Sequence, residues 1–445
     1  MKVAMISLGC AKNLVDSEGL LGRLAEADDI EIVAEPDGAD GVIVNTCGFL
    51  QSARQESEAI AAEMVRLRAA GRLSWVALAG CLVERYGPAL RTAFPDVAFL
   101  GFRDYEDVEA VVRRAERGDL NPPPPPSRRG PRLDQGIHGT RFLLTQRSFA
   151  YLRISEGCDL RCSFCVIPAI RGTFRSRPLE DLVAEAEALA AAGVRELVIV
   201  SQDSSAYGRD TGGVRLPELV RALAAVAGIA WIRLQYLNPA FTDTRLLEAV
   251  AAIPEVVPYL DLPIQHASDA VLKRMRRTPG VAGIRRVIAE ARRRIPELTL
   301  RTTVMVGFPG ETEAEFRELL AFLEEIRFER LGCFRFSAEA GTPAATFPDA
   351  VPEEVKAERH DAVMARQQAI TKQAQNARVG TIQPVMVDLP PPAGKTWGEG
   401  RTRGDSPEVD CKVLLTGGGY ERGGPVSVRI FARHDYDLIG ERADA

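Results

Sequence analysis

Short apolar runs of β type alternate with stretches of helical period along the first 120 residues. The runs fall at 3–8, 41–46, 75–79 and 97–100, and the helical stretches at 14–27, 52–70 and 82–90. Apolar strands separated by helices predict a parallel sheet with the helices as crossovers. The pattern recurs further on, with strands expected at 150–154, 196–201, 231–235, 257–262, 298–305 and 332–336. Six β/α units predict an incomplete, open β/α barrel whose site lies at the C-terminal strand ends. After a helical stretch from Pro352 to Ala377, residues 380–440 read as short Val/Ile-rich strands between Gly, Pro and Asp turns, the pattern of a small β-barrel or sandwich. The proline run Pro122 to Pro126 marks a stiff linker. The expected division is therefore an α/β parallel-sheet domain at 1–120, a linker at 121–143, the open barrel at 144–377 and a β-barrel at 378–445.

Composition narrows the class without choosing a function. Of 445 residues, 46% are hydrophobic and 26% charged, which excludes disordered and fibrous chains. Acidic residues outnumber basic ones by 61 to 56, which argues against broad adhesion to nucleic acid or anionic membrane. No uninterrupted apolar stretch reaches the ~20 residues of a membrane span. The opening segment, broken by Lys12 and Asp16, is a poor signal peptide and a good first strand. A cytoplasmic protein is expected, in which eight cysteines serve metal ligation or catalysis rather than disulfides.

Six of those cysteines form two triads. Cys158, Cys162 and Cys165 make C-x3-C-x2-C just beyond the first strand of the middle domain. Three thiolates on one short loop can hold three corners of an iron–sulfur cube, and a missing fourth ligand leaves one iron open. A zinc site completed by His138 or His266, or plain buried cysteines, are the alternatives. Cys10, Cys47 and Cys81 are distant in sequence, yet each follows an expected strand. Residues just past the carboxyl ends of parallel strands converge on one crevice, so these three can meet at a second cluster; ordinary buried cysteines are again the alternative.

The C-x3-C-x2-C loop on a β/α barrel resembles the radical S-adenosylmethionine (SAM) superfamily. The segment Ser7-Leu8-Gly9-Cys10-Ala11-Lys12-Asn13-Leu14-Val15-Asp16-Ser17-Glu18 closely resembles the opening of the RimO-type methylthiotransferases. The likeness continues through Ile154-Ser155-Glu156-Gly157-Cys158, Arg171-Gly172, Gln265-His266-Ala267-Ser268 and Gly307-Phe308-Pro309-Gly310-Glu311-Thr312. It ends in a segment, Gly400 to Asp410, similar to the family's TRAM domain. Two departures, Asn238-Pro239 and Cys411, touch local loops only.

The resemblance implies two 4Fe-4S clusters and SAM as cofactors. The Cys158 triad would cleave SAM to a 5′-deoxyadenosyl radical, and the Cys10 triad would deliver the sulfur. The implied substrate is the β-carbon of an aspartate in small-subunit ribosomal protein twelve, with an external electron donor. Expected SAM contacts are Phe164, Gln202, Asp203, Gln265 and Gly307. Capping by Asp203 and a plain strand-to-helix turn at Gly307 account for those residues about as well. The alternative substrate is a transfer-RNA adenosine, as in MiaB-type relatives. Ser-Leu-Gly-Cys and Gln-His-Ala-Ser favour the protein, as do the eight basic and ten acidic residues from Gly380 onward. Nucleic-acid contact is accordingly a secondary expectation and membrane contact is not expected. His266, beyond a strand end, is a weaker candidate for acid–base work, and Cys333 and Cys411 read as packing residues.

Overall fold

A computed structural model describes residues 1–120, 141–392 and 397–443. The expected proline linker and His138 lie outside the described residues. The first unit is a five-stranded parallel sheet, β1 (Lys2–Ser7), β2 (Glu31–Val33), β3 (Gly41–Thr46), β4 (Trp75–Gly80) and β5 (Ala98–Leu100), in the order β2-β1-β3-β4-β5. Its alternate residues are buried on both faces. Ala4, Val42, Val44 and Leu78 pack on the helices Gln51–Ala69 and Cys81–Ala93, while Val3, Ile43 and Leu100 pack on Ala11–Leu24 and Val108–Glu116. The edge strand β2 was not expected, because three half-exposed residues carry too little alternation to register.

The second sheet has six parallel strands in the order β13-β12-β11-β10-β9-β6 and does not close. They are β6 (Phe149–Arg153), β9 (Glu196–Val200), β10 (Trp231–Leu234), β11 (Val256–Asp261), β12 (Thr299–Val306) and β13 (Arg330–Arg335); a short ribbon, β7 (Ser155–Glu156) with β8 (Arg175–Ser176), follows β6. All six coincide with the strands read from the apolar runs. Ala150, Leu152, Leu197, Ile199, Ile232 and Leu234 face a layer of helices carrying Leu182, Leu189, Leu219 and Leu223. The intervening residues face inward, as the period of two requires.

The last unit is a closed barrel, β14 (Ile382–Leu389), β15 (Trp397–Thr402), β16 (Val413–Thr416), β17 (Pro425–His434) and β18 (Asp437–Arg442), in the order β14-β15-β16-β18-β17. This barrel seats itself on the inward face of the six-stranded sheet. Met386 packs on Trp231, Val257 and Tyr259. Arg401 Nη1 donates to Glu196 at 2.6 Å, Tyr259 to Asp410 at 2.7 Å and Tyr151 to Glu408 at 2.8 Å. Arg330 pairs with Asp405, both buried. Carboxylates of this network, Glu196 and Asp405, are buried, a cost that Arg233, Arg401, Arg330 and Arg378 outweigh, and both carboxyls titrate below the usual range. No helix among the described residues is long and apolar enough to cross a membrane.

Candidate functional site

The two cysteine triads lie at the C-terminal edges of the two parallel sheets, and the polypeptide draws these edges together. In the first sheet, Cys10 directly precedes the helix Ala11–Leu24, Cys47 follows β3, and Cys81 opens the helix Cys81–Ala93, so the three stand at the ends of adjacent strands β1, β3 and β4. Two glycines let these ends close up. Gly9 has φ +95°, and a Cβ there would fall 2.8 Å from Cys47 Cβ and 3.1 Å from its Sγ. A Cβ on Gly48 would meet Leu82 Cα at 2.8 Å and the Cys81 carbonyl carbon at 3.0 Å. Neither position admits a larger side chain. Asn13, fully buried, clamps the same turn by donating to the carbonyl oxygens of Leu8 (2.6 Å), Asn45 (3.3 Å) and Thr46 (3.4 Å).

Electrostatics differ among these thiols. Cys10 reaches solvent at the rim of the crevice but is crowded by protein, and that crowding opposes its charge. Lys12, Arg171 and the backbone N–H groups of the first helical turn outweigh it, so its thiol titrates below the ordinary value. Burial pushes the Cys47 thiol up, and pushes that of Cys81 up to about 12 even though Arg171 opposes it.

The second triad follows β6 and β7. Its loop is held from behind: Ser163 N donates to Met275 O at 3.0 Å, Ser163 Oγ to Arg274 O at 2.8 Å, and Ala344 N to Ser163 O at 2.8 Å. Burial raises the thiols of Cys158 and Cys165 to about 12, and Arg277 Nη1 lies 3.8 Å from Cys162 Sγ. Among the described residues no three His, Cys, Asp or Glu side chains converge at the spacing of a single ion. None of the six cysteines is in a disulfide. Each triad has the chemistry of a polynuclear cluster's corners: three unbonded, largely apolar-housed thiols with one guanidinium alongside.

Arg171 joins the two triads. It ends the short helix Ile167–Arg171, which starts two residues after Cys165 and whose Ile170 inserts, with Val166, into the core of the first sheet. The guanidinium is buried; Nη2 and Nε donate to Cys81 Sγ at 3.3 and 3.4 Å. It also pairs with Asp16 at 2.9 Å and with Glu156 at 3.1 Å, two residues before Cys158. Arg153 binds the same two carboxylates, lying 3.0 Å from Glu156. Farther along the same interface, Arg141 holds Glu18 and Glu185, and Arg177 also holds Glu185. The sequence singles out Arg171-Gly172 without giving the arginine a task. The signal that could have done so is a charge inside an apolar stretch, as with Arg153 in Phe-Ala-Tyr-Leu-Arg.

The expected SAM contacts take varied places. Gln202 Nε2 donates to Glu156 at 3.0 Å, and its Oε1 is buried without a partner. Asp203, buried, accepts from Ser205 Oγ (2.6 Å) and Asn238 Nδ2 (3.3 Å); it makes no side-chain cap to the turn that follows. Phe164 packs against the small apolar cluster of Val271, Met275, Phe308, Phe336 and Ala344. Gln265, with φ +69°, bonds through its backbone to Thr303 O (2.9 Å) and Met305 N (2.7 Å) of β12. Gly307 has φ +73°, a left-handed backbone that favours glycine, and a Cβ there would also meet Lys356 Cγ at 2.3 Å.

His266 is fully buried, and its Nδ1 accepts from Ser268 N at 3.1 Å. Burial lowers its pKa to about 3, so the ring is neutral and closed to solvent at physiological pH. In the unfolded chain an imidazole takes a proton near pH 6.5. Between these values the unfolded state binds the extra proton, so stability falls as the pH drops below about 6.5. Between pH 7 and pH 5.5 this residue is expected to cost about 1.3 kcal/mol. Urea midpoints of the wild type and of His266→Asn at the two pH values check this, the variant losing less by that amount. Equal losses would mean that the ring is protonated in the fold.

Comparison with known proteins agrees with this layout. Residues 152–323 match the Radical SAM superfamily, residues 2–101 the uncharacterized protein family UPF0004, and residues 379–442 the TRAM domain. The chain is 45% identical to the ribosomal protein uS12 methylthiotransferase RimO of Anaeromyxobacter sp. (strain K), over 99% of this chain and 92% of that one. It is 42% identical to the protein of the same name from Geobacter sulfurreducens, over 99% and 98%. Among solved structures, the radical SAM methyltransferase TsrM from Kitasatospora setae, with cobalamin and a [4Fe-4S] cluster bound, has a TM-score of 0.56 at 17% identity, covering 77% of this chain and 76% of its own. That likeness concerns the fold alone.

Proposed function

The chain belongs to the RimO-type ribosomal protein uS12 methylthiotransferases, and from that premise we propose how its two triads divide the reaction. It is a radical SAM enzyme that methylthiolates protein uS12; the proposal concerns the residues. Cys158, Cys162 and Cys165 would hold the 4Fe-4S cluster whose open iron takes SAM, and Cys10, Cys47 and Cys81 would hold a second. When bound, these groups supply a carbon radical that removes hydrogen from the aspartate β-carbon and the methylthio group that replaces it.

The chain's own residues do the positioning. Gly9 and Gly48 let the strand ends carrying Cys10, Cys47 and Cys81 approach. Gln202 presents its unpartnered Oε1 beside the second triad, where a hydrogen-bond donor of SAM would satisfy it. The Asp203 carboxylate, on the same strand end, suits the SAM ribose. Phe164, Gln265 and Gly307 would complete that binding surface. The observation that carries the reading is Arg171, whose one guanidinium touches Cys81 and Glu156, two residues before Cys158, and so links the first triad to the strand end that leads to the second. An external electron donor and the ribosomal protein are the partners, and the reaction belongs to the cytoplasm. A transfer-RNA substrate is not favoured by the full-length relatives; the TRAM barrel would make nucleic-acid contact secondary to protein contact.

The test is mass spectrometry after anaerobic reconstitution with iron and sulfide and reduction with SAM, offering protein uS12 and total transfer RNA in parallel. A methylthio gain on an aspartate peptide is expected. A gain confined to an adenosine would overturn the substrate assignment.

A further inference from the structure

Every buried arginine at the interface of the two sheets has a carboxylate: Arg141, Arg153, Arg171 and Arg177 pair with Glu18, Glu185, Asp16 and Glu156. One buried cation in the same place has none. Lys12, 8% exposed, forms no ion pair with any carboxylate among the described residues. Its Nζ instead lies 3.3 Å from the centroid of the Tyr236 ring.

Both ends of that contact are anchored. Lys12 is in the first turn of the helix Ala11–Leu24, two residues after Cys10. Tyr236 lies just past the end of β10, at the mouth of the six-stranded sheet, with φ +58°. Its N donates to Asp261 Oδ2 at 3.0 Å and its O accepts from Ser204 N at 3.0 Å. The ammonium therefore spans from the first triad to the mouth that carries the second. The face of an aromatic ring contributes roughly 0.5–2 kcal/mol to a cation but offers no acceptor for three N–H donors. The other neighbours of the ammonium are the Tyr236 hydroxyl and the Cys10 thiol, so it is held without a carboxylate, and an incoming carboxylate would supply the charge-assisted hydrogen bonds that the arginines beside it already have.

We propose that Lys12 binds the carboxylate of the target aspartate and makes the enzyme specific for an acidic side chain. The inference rests on the protein-methylthiolating reading above and deepens it. The carboxylate is bonded to the carbon that must react. Gripping it beside Cys10 and Tyr236 therefore sets that carbon between the two triads, a placement that an amide side chain could not obtain from an ammonium with equal strength. The rival role is charge balance for Cys10 and its cluster, in which Lys12 would never touch substrate.

The experiment measures binding to the reconstituted, full-length enzyme without reductant, so that no turnover occurs. The probes are a peptide of protein uS12 carrying the target aspartate and the same peptide with asparagine there. The wild type is expected to bind the aspartate peptide about tenfold more tightly, Lys12→Met to bind both equally at the asparagine level, and Lys12→Arg to keep the preference. Iron content and the EPR spectrum of each variant report the rival role. A Lys12→Met enzyme that still prefers aspartate, or a wild type with no preference, would overturn the proposal. So would loss of the first triad's iron with the preference intact. A wild type that prefers the aspartate peptide yet adds no methylthio group to protein uS12 on reduction with SAM would defeat the functional reading and leave the lysine's role standing.

Discussion

Arg171→Met is expected to abolish methylthio transfer and to destabilise the protein by about 3–5 kcal/mol. The Arg171 guanidinium lies 4.8 Å over the Phe102 ring and against Cys81 Sγ, a space that methionine largely fills, so the loss comes from charge rather than from a cavity. Arg171 is buried, and among the described residues Arg153 is the one other cation that pairs with Asp16 and Glu156. Without it, two buried carboxylates face one guanidinium, and Cys81, whose thiol burial already pushes up to about 12, loses its nearest cation. A thiol that resists ionisation is a poor iron ligand. The iron content should drop toward that of one cluster, and the urea midpoint should fall. Arg171→Lys is the informative companion: it keeps a charge but cannot reach the sulfur and both carboxylates with one fork. It should fold and hold iron while the EPR signal assigned to the first triad shifts. A lysine variant with an unchanged signal would remove Arg171 from the description of that site.

The second large effect separates the two triads. Cys158→Ala should reduce formation of 5′-deoxyadenosine from SAM by more than ~100-fold, because even partners one shell outside a metal site cost 10–100-fold. Cys10→Ala should cleave SAM at a rate on the order of the wild type's while transferring no methylthio group. The structural basis is that Cys158 belongs to the loop seated on Arg274 and Met275, whereas Cys10 caps a helix of the other sheet. Chromatography of the nucleoside product and mass spectrometry of the protein substrate read the two activities independently. Methylthiolation surviving in either variant would refute the division.

Strand positions were legible because a strand buried on both faces must be a short, nearly unbroken apolar run. All six strands of the open sheet, and β1, β3, β4 and β5 of the first, coincide with such runs. The triads were legible for a related reason. Parallel strands end on one edge, so cysteines placed just after strands share a crevice whatever their separation in sequence. The ionic layer between the sheets was not legible. Asp16, Glu18 and Lys12 occupy the opening turns of a helix and look like its solvated face, yet all three are buried. Periodicity reports which face is apolar, and it carries no information about a polar face that another part of the chain covers. His266 shows the complementary failure. Its position beyond a strand end promised a pocket, but the side chain turns inward, where a neutral ring suits the core.

The seating of the C-terminal barrel has a consequence for traffic. Segment 401–410 occupies the inward face of the six-stranded sheet through Arg401, Asp405, Ser406, Glu408 and Asp410, which meet Glu196, Arg330, Gln235, Tyr151 and Tyr259. The lumen is thereby corked at its floor, and the cork is riveted by buried ion pairs rather than hung on a hinge. A substrate bound for the triads would therefore come in over the strand ends, where the edges of the two sheets face one another, and meet a wall that the barrel has already filled.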